Sequence, residues 1–146
     1  MNIKLHVTDN QFIESLIPQK KPFVMVSELL YFDETSLKSG FVVTEENFFV
    51  ENGFFQASGV LEHQAQSVAL HTGYQFFLKK EKPPVGYIGA VKYFEIKFLP
   101  KIGDRIITEI SILAEMMEVT MVKIISKIGN EMMAVSEMKT VIKQRL

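Results

Sequence analysis

A sequence of 146 residues, 47% of them apolar, has the size of one domain and enough greasy side chain for one substantial core. Its 16 Lys and Arg balance 17 Asp and Glu, and the resulting charge of about −1 offers no broad attraction to nucleic acid or anionic lipid. The absence of cysteine excludes disulfides, thiolate metal sites and cysteine nucleophiles, and agrees with a reducing compartment, the cytoplasm.

The opening residues MNIKLHVTDNQ lack the apolar centre of a signal peptide, and no stretch approaches the roughly 18 apolar residues of a membrane span. The expectation is one domain over residues 1–146, without membrane or nucleic-acid partners. Asp9 or Thr8 caps a short helix through Ile13 to Ile17, which Pro18 stops because its ring cannot continue the ladder. After the corner Gln19-Lys20-Lys21-Pro22, the run from Phe23 to Phe32 predicts a strand, and Asp33 to Ser36 a turn into a second strand from Leu37 to Thr44. Residues 45–56 lose any period and read as an ordered loop.

The longest helical stretch runs from about Ser58 to Lys80. Ala65, Ala69 and Gly73 recur there every four residues, a small-residue face that a curved sheet can wrap tightly. After Lys82-Pro83-Pro84 come four strands, Gly86–Leu99, Arg105–Met116, Glu118–Ile128 and Met132–Lys143, whose short connectors predict an antiparallel meander. The order is that of an α+β domain, one long central helix wrapped by a curved antiparallel sheet of five to six strands. Twelve Phe and eight Met fill such a core, and equally suit a pocket for a flexible alkyl chain.

Three segments, in order, resemble the 3-hydroxyacyl-acyl-carrier-protein dehydratases of the hotdog fold. Residues 17–26, IPQKKPFVMV, are similar to that family's opening LPHRxPFLLVD, with Gln19 at the usual His. Residues 59–66, GVLEHQAQ, are similar to GVLxxEAxAQ when Glu62 and Gln66 are matched to its Glu and Gln; residues 86–104 resemble the strand and turn ending in PGD. The departures are equally specific. Glu62 follows Leu61 directly, where the family has two intervening residues, and the catalytic His of the family's GHFPG loop is missing from FFVENGFF over 48–55, leaving Asn52 as the nearest polar substitute.

The resemblance implies a hotdog fold, an acyl thioester on acyl carrier protein or coenzyme A as substrate, fatty-acid or polyene-type lipid synthesis, and an acyl tunnel between paired subunits. The implied assembly is a homodimer or larger, such as a trimer of dimers, or a heterodimer with another hotdog chain. It implies no cofactor and no metal. Glu62 is the expected acid or base, against the alternative of a solvent-facing or capping carboxylate. Gln66, one turn on, is expected to orient it. Asn52 completes the implied catalytic set, and it cannot exchange a proton near neutral pH. The first-turn N–H groups of Gly59 and Val60 are candidates for the thioester carbonyl; Phe54 and Phe55 for the tunnel wall; Gly89, in the matched strand, for the substrate. His63 points about 100° away from Glu62, and His71 lies on the opposite side of the helix. Lys20, Lys21, Lys79, Lys80 and Lys82 either grip a phosphopantetheine or merely solvate the surface. A thioesterase, whose carboxylate activates water, and a non-catalytic partner subunit remain alternatives.

Overall fold

The structure, a computed structural model, describes residues 3–142. Among them the chain forms β1 (Ile3–Val7), α1 (Asn10–Leu16), β2 (Glu28–Asp33), β3 (Ser36–Val42), β4 (Val50–Glu51), β5 (Phe54–Phe55), α2 (Ala57–Leu78), β6 (Gly86–Ile96), β7 (Arg105–Met116), β8 (Val119–Ile128) and β9 (Glu131–Ile142). Seven strands make one antiparallel sheet in the order β1-β2-β3-β7-β8-β9-β6, and α2 lies across it. This is the expected α+β layout. No helix among the described residues is long and apolar enough to cross a membrane.

Several elements differ from their sequence expectation. Phe23 to Ser27 is not part of a strand: the Phe23 carbonyl and both backbone groups of Met25 are taken by side chains of α2, and of this stretch the Ser27 N–H alone is seen to reach the sheet, at Gly40 O of β3. β1 is an additional edge strand pairing with β2, which raises the sheet to seven strands. The four C-terminal strands are not one meander: β7, β8 and β9 are, but β6 pairs with β9 on the far edge. Its chain then crosses back through residues 97–104, where Val43 and Gly103–Asp104 exchange backbone hydrogen bonds beside the end of β3. Residues 45–56 contain the small hairpin β4–β5, turned at Asn52-Gly53 with φ of 54° and 83°, the left-handed pair a two-residue hairpin requires.

The N-terminal helix follows its sequence signals. Asp9 Oδ1 accepts from the N–H of Gln11 at 3.0 Å and of Phe12 at 3.3 Å, and the helix ends two residues before Pro18. One apolar cluster joins α1 to the sheet through Ile13, Leu16, Leu29, Phe32, Leu70, Ile110 and Ile124. A second, around Phe41, Phe55, Val60, Ile106 and Met133, closes the other end.

The central helix has three faces. Val60, His63, Gln64, Ser67, Leu70, His71 and Tyr74, spaced three and four apart and all buried, face the sheet. Glu62 and Gln66 face the Phe23–Met25 strip. Ala65, Ala69 and Gly73 line a cleft that has β6 and β9 residues on its far wall, so the sheet does not wrap the small residues tightly as expected. The size of Gly73 serves the α1 contact, since a Cβ there would lie 1.9 Å from the Leu16 carbonyl oxygen, which is backbone and cannot rotate away.

β6 is the least covered strand. From Gly86 to Lys92 every residue is exposed, including Tyr87, Ile88 and Val91. It is also an open edge, with a row of backbone groups facing away from β9.

Gly73→Ala should therefore destabilise the protein although Ala is the better helix former by about 1 kcal/mol. Forcing α1 away from α2 outweighs that gain and leaves a net loss of about 2 kcal/mol, measurable as a lower urea midpoint.

Candidate active site

A cleft of about 440 Å³ opens along α2. Its floor is Glu62, Ala65, Ala69, Thr72 and Gly73. One wall is Leu16 to Gln19; the other is Lys82 to Ile88, with Thr140 of β9. Apart from Glu62 and Lys82 the lining is uncharged, and mostly apolar: a slot with a carboxylate toward one end.

Glu62 is half-buried, and its Oε1 accepts from Gln66 Nε2 at 2.8 Å. Gln66 is fully buried and its amide has no freedom to turn over. Its Oε1 accepts the Met25 N–H at 2.6 Å, so Nε2 must face Phe23 O at 2.7 Å and Glu62. The Phe23–Met25 strip thus stands in for a sheet neighbour, and the helix glutamine supplies both ladder bonds.

His63 secures the same strip from below. Its Nδ1 lies 2.6 Å from Met25 O, and because a carbonyl can only accept, Nδ1 carries the proton. Nε2 must then accept, and Thr108 Oγ1 donates to it at 2.7 Å. The direction propagates: Ser126 Oγ donates to Thr108 at 2.6 Å, Gln64 Nε2 donates to Ser126 at 2.9 Å, and Ser136 Oγ donates to Gln64 Oε1 at 2.6 Å. Alongside, Ser67 donates to His63 O at 2.9 Å, which leaves the hydroxyl of Ser39 to donate to Ser67 at 2.7 Å. Every member is fully buried. The hydroxyls form a row because Ser39, Thr108 and Ser126 are register partners on β3, β7 and β8, with Ser136 nearby on β9.

Burial pushes the His63 imidazole down to about 4 despite the opposing bond to Met25 O. It is neutral at physiological pH and faces the core. His71 is also lowered by burial, stacks on Phe32 and bonds Asp33 O, while His6 is exposed beside Glu28. None of the three histidines lines the cleft.

The sequence-derived site is only partly brought together. Glu62 and Gln66 meet as expected. Asn52 is exposed at the β4–β5 turn and lies outside the cleft lining. The N–H groups of Gly59 and Val60 both donate to Gln56 O, at 2.9 and 3.1 Å, so neither is free for a thioester carbonyl. Gly59 is instead small because Phe55 and Phe49 press on it, a Cβ there coming 2.6 Å from the Phe55 ring. Phe55 is core, not tunnel, and Phe54 is exposed beside it; neither lines this cleft. Gly89 sits at a register irregularity of β6, next to the cleft residue Ile88. Of the five lysines, Lys82 lines the cleft. Lys20 bonds carbonyls at the end of α1, Lys79 lies over Phe76, and Lys21 and Lys80 are exposed. Sequence reasoning missed Gln19 and the Pro83–Ile88 wall, whose proximity to Glu62 is a matter of tertiary path.

A protein-family model described as ApeP dehydratase, ApeP-like, matches residues 11–139. The comparison with curated proteins returns no match. Among solved structures, the dehydratase heterocomplex ApeI:P from Xenorhabdus doucetiae superposes with a TM-score of 0.84 at 12% identity over 91% of each chain. An uncharacterised protein from Pyrococcus horikoshii gives 0.71 at 11% identity, over 98% of this chain and 96% of that one. A hypothetical thioesterase from Streptococcus pneumoniae, solved with coenzyme A, gives 0.66 at 7% identity, over 81% and 86%. These likenesses establish the hotdog fold.

The neutral His63 sets a pH dependence, to which His71, also lowered by burial, adds in the same direction. The His63 pKa is about 4 folded against 6.5 unfolded, so the unfolded chain binds the extra proton in between. Stability is complete above pH 6.5 and should fall as pH drops toward 4, by on the order of 3 kcal/mol. Urea titrations at pH 7.5 and 5 will read this. Glu28, whose charge is held by Arg105, contributes its own acid loss only below its ordinary value of 4.5.

Proposed function

The chain belongs to the ApeP-like dehydratase family, and from that premise we propose that it removes water from 3-hydroxyacyl thioesters, with Glu62 as the proton carrier. The observation that carries this reading is the carboxylate held by Gln66 at the head of a largely apolar slot. Glu62 takes the proton from C2 of the bound thioester and returns a proton to the departing 3-hydroxyl. The C3–O bond breaks, the C2–C3 double bond forms, and water and a 2-enoyl thioester leave with the carboxylate regenerated. One residue can serve both steps when both groups lie on the same side of the substrate, which suits a cleft without a histidine.

The acyl chain follows the floor. The helix rises about 16 Å from Glu62 to Gly73. An extended alkyl chain advances about 1.25 Å per carbon, giving room for roughly twelve carbons. The thioester head, at the Glu62 end of the slot, is carried by acyl carrier protein or coenzyme A. The open, apolar edge of β6 suits pairing with a second hotdog chain, which would extend the slot.

A second reading is favoured by one similarity. The Xenorhabdus doucetiae structure is a dehydratase heterocomplex, and a chain with one carboxylate and no cleft histidine would complete another hotdog subunit in the same way.

Incubating the protein with 3-hydroxyacyl-pantetheine and following products by mass spectrometry tests both. The enoyl thioester should appear with the wild type and vanish with Glu62→Gln, which keeps shape but cannot carry a proton. Release of free thiol would identify a thioesterase, and activity only on mixing with another hotdog protein would select the partner reading. Ala69→Leu, about 10 Å along the helix from Glu62, should lower turnover of a twelve-carbon substrate about tenfold and spare a six-carbon one.

A further inference from the structure

Lys82 is the second charged residue of the slot and stands at the opposite end from Glu62. After Leu78 the chain turns back on the last turn of α2, where the Glu81 N–H donates to Phe76 O at 3.0 Å, and this bond anchors the neighbouring Lys82 there. Phe76 is roughly 21 Å along the helix from Glu62. The polar lining gathers at the same end. Thr72 meets the slot about 15 Å along α2 from Glu62. Thr140 meets it from β9, paired with Ile88 of the wall, and both threonines are partly exposed. Between the two ends lie Leu16, Ile17, Ala65, Val68 and Ala69. Lys82 is exposed and takes part in none of the ion pairs among the described residues, which join His6, Lys38, Lys92 and Arg105 to acids. Glu81, its neighbour in the chain, and Glu115, two strands from Thr140 by register, do not line the slot.

A chain that enters with its thioester at Glu62 carries its far end to this polar terminus. A methyl end there takes water from two hydroxyls and an ammonium and gives nothing back, whereas a carboxylate has lone pairs for all three. We propose that the far end of the slot binds a carboxylate, with Lys82, Thr72 and Thr140 as donors, and that the substrate is a 3-hydroxyacyl thioester whose ω-carbon is a carboxyl group. This rests on the thioester reading of the cleft and adds to it the class of acyl chain. The two ends of the slot then also fix the sense of entry. The Glu62 carboxylate repels the ω-carboxylate and the Lys82 ammonium attracts it, so the thioester is the end left beside Glu62.

Dissociation constants are measured by calorimetry for two 3-hydroxyacyl-pantetheines of the roughly twelve carbons that the slot holds, one ending in a methyl and one in a carboxyl group. Wild type should prefer the carboxyl-ended ligand about tenfold, and the preference should shrink in high salt, as an exposed charge pair requires. Lys82→Ala should bring the two ligands level, Lys82→Arg should keep the preference, and Thr72→Val should reduce it about threefold. Equal affinities in wild type, or a preference for the methyl end, would overturn the carboxylate site. A full preference that survives Lys82→Ala would overturn the assignment of its cation. Wild type binding neither thioester would sink the thioester reading itself, a result distinct from binding both alike.

Discussion

The structure depends on a directed chain of hydrogen bonds through its centre, from Ser136 by way of Gln64, Ser126, Thr108 and His63 to the carbonyl of Met25. It begins on an outer strand of the hydroxyl row and ends on a strip of chain that belongs to no strand. Because the last acceptor is a carbonyl, each donor upstream has only one way to point. A core of this kind is high-stakes: satisfied throughout, it holds helix, sheet and strip in one mutual register, whereas an apolar interface would allow sliding. The strip so fixed sets the Gln66 amide, and Gln66 sets the Glu62 carboxylate. Core and site are therefore one construction.

The outer surface shows a related device. Glu28 on β2 reaches over β3 to bond Arg105 on β7 through both carboxylate oxygens, at 2.8 Å each. It passes above Gly40, where a Cβ would meet Glu28 Oε1 at 2.5 Å. A glycine in mid-strand normally weakens a sheet; here it gives a bidentate bridge room to span two neighbours.

How much of this was legible in the sequence follows from the range of the forces concerned. α1, with Asp9 before it and Pro18 after it, and β7, with its alternating Ile residues, are set by near neighbours, and both lie close to where the sequence places them. The Phe23–Phe32 run reads as one strand because propensity cannot see that Gln66 and His63, about forty positions later, take the backbone of its first half. β6 reads as the neighbour of β7 because short connectors usually join paired strands, yet its partner is β9. In the candidate site, Glu62 and Gln66 were visible as one turn of one helix. Gln19 and the 83–88 wall were not, since no local pattern encodes which distant loops will flank a helix face. The stripe His63, Gln64, Ser67 and His71 was readable as polar and periodic, but its burial depended on a matching row of hydroxyls that only strand register assembles.

That matching has a consequence for how the gene can drift. Thr108 and Ser126 each use their oxygen both to give and to receive, so replacing either by Val or Ala strands the neighbour on both sides. Single changes along the row pass through a poorly folding intermediate, whereas paired changes that swap a hydroxyl and its mate for two apolar groups do not. Lineages descending from this sequence should accordingly inherit these positions as linked blocks, rewritten together or left alone.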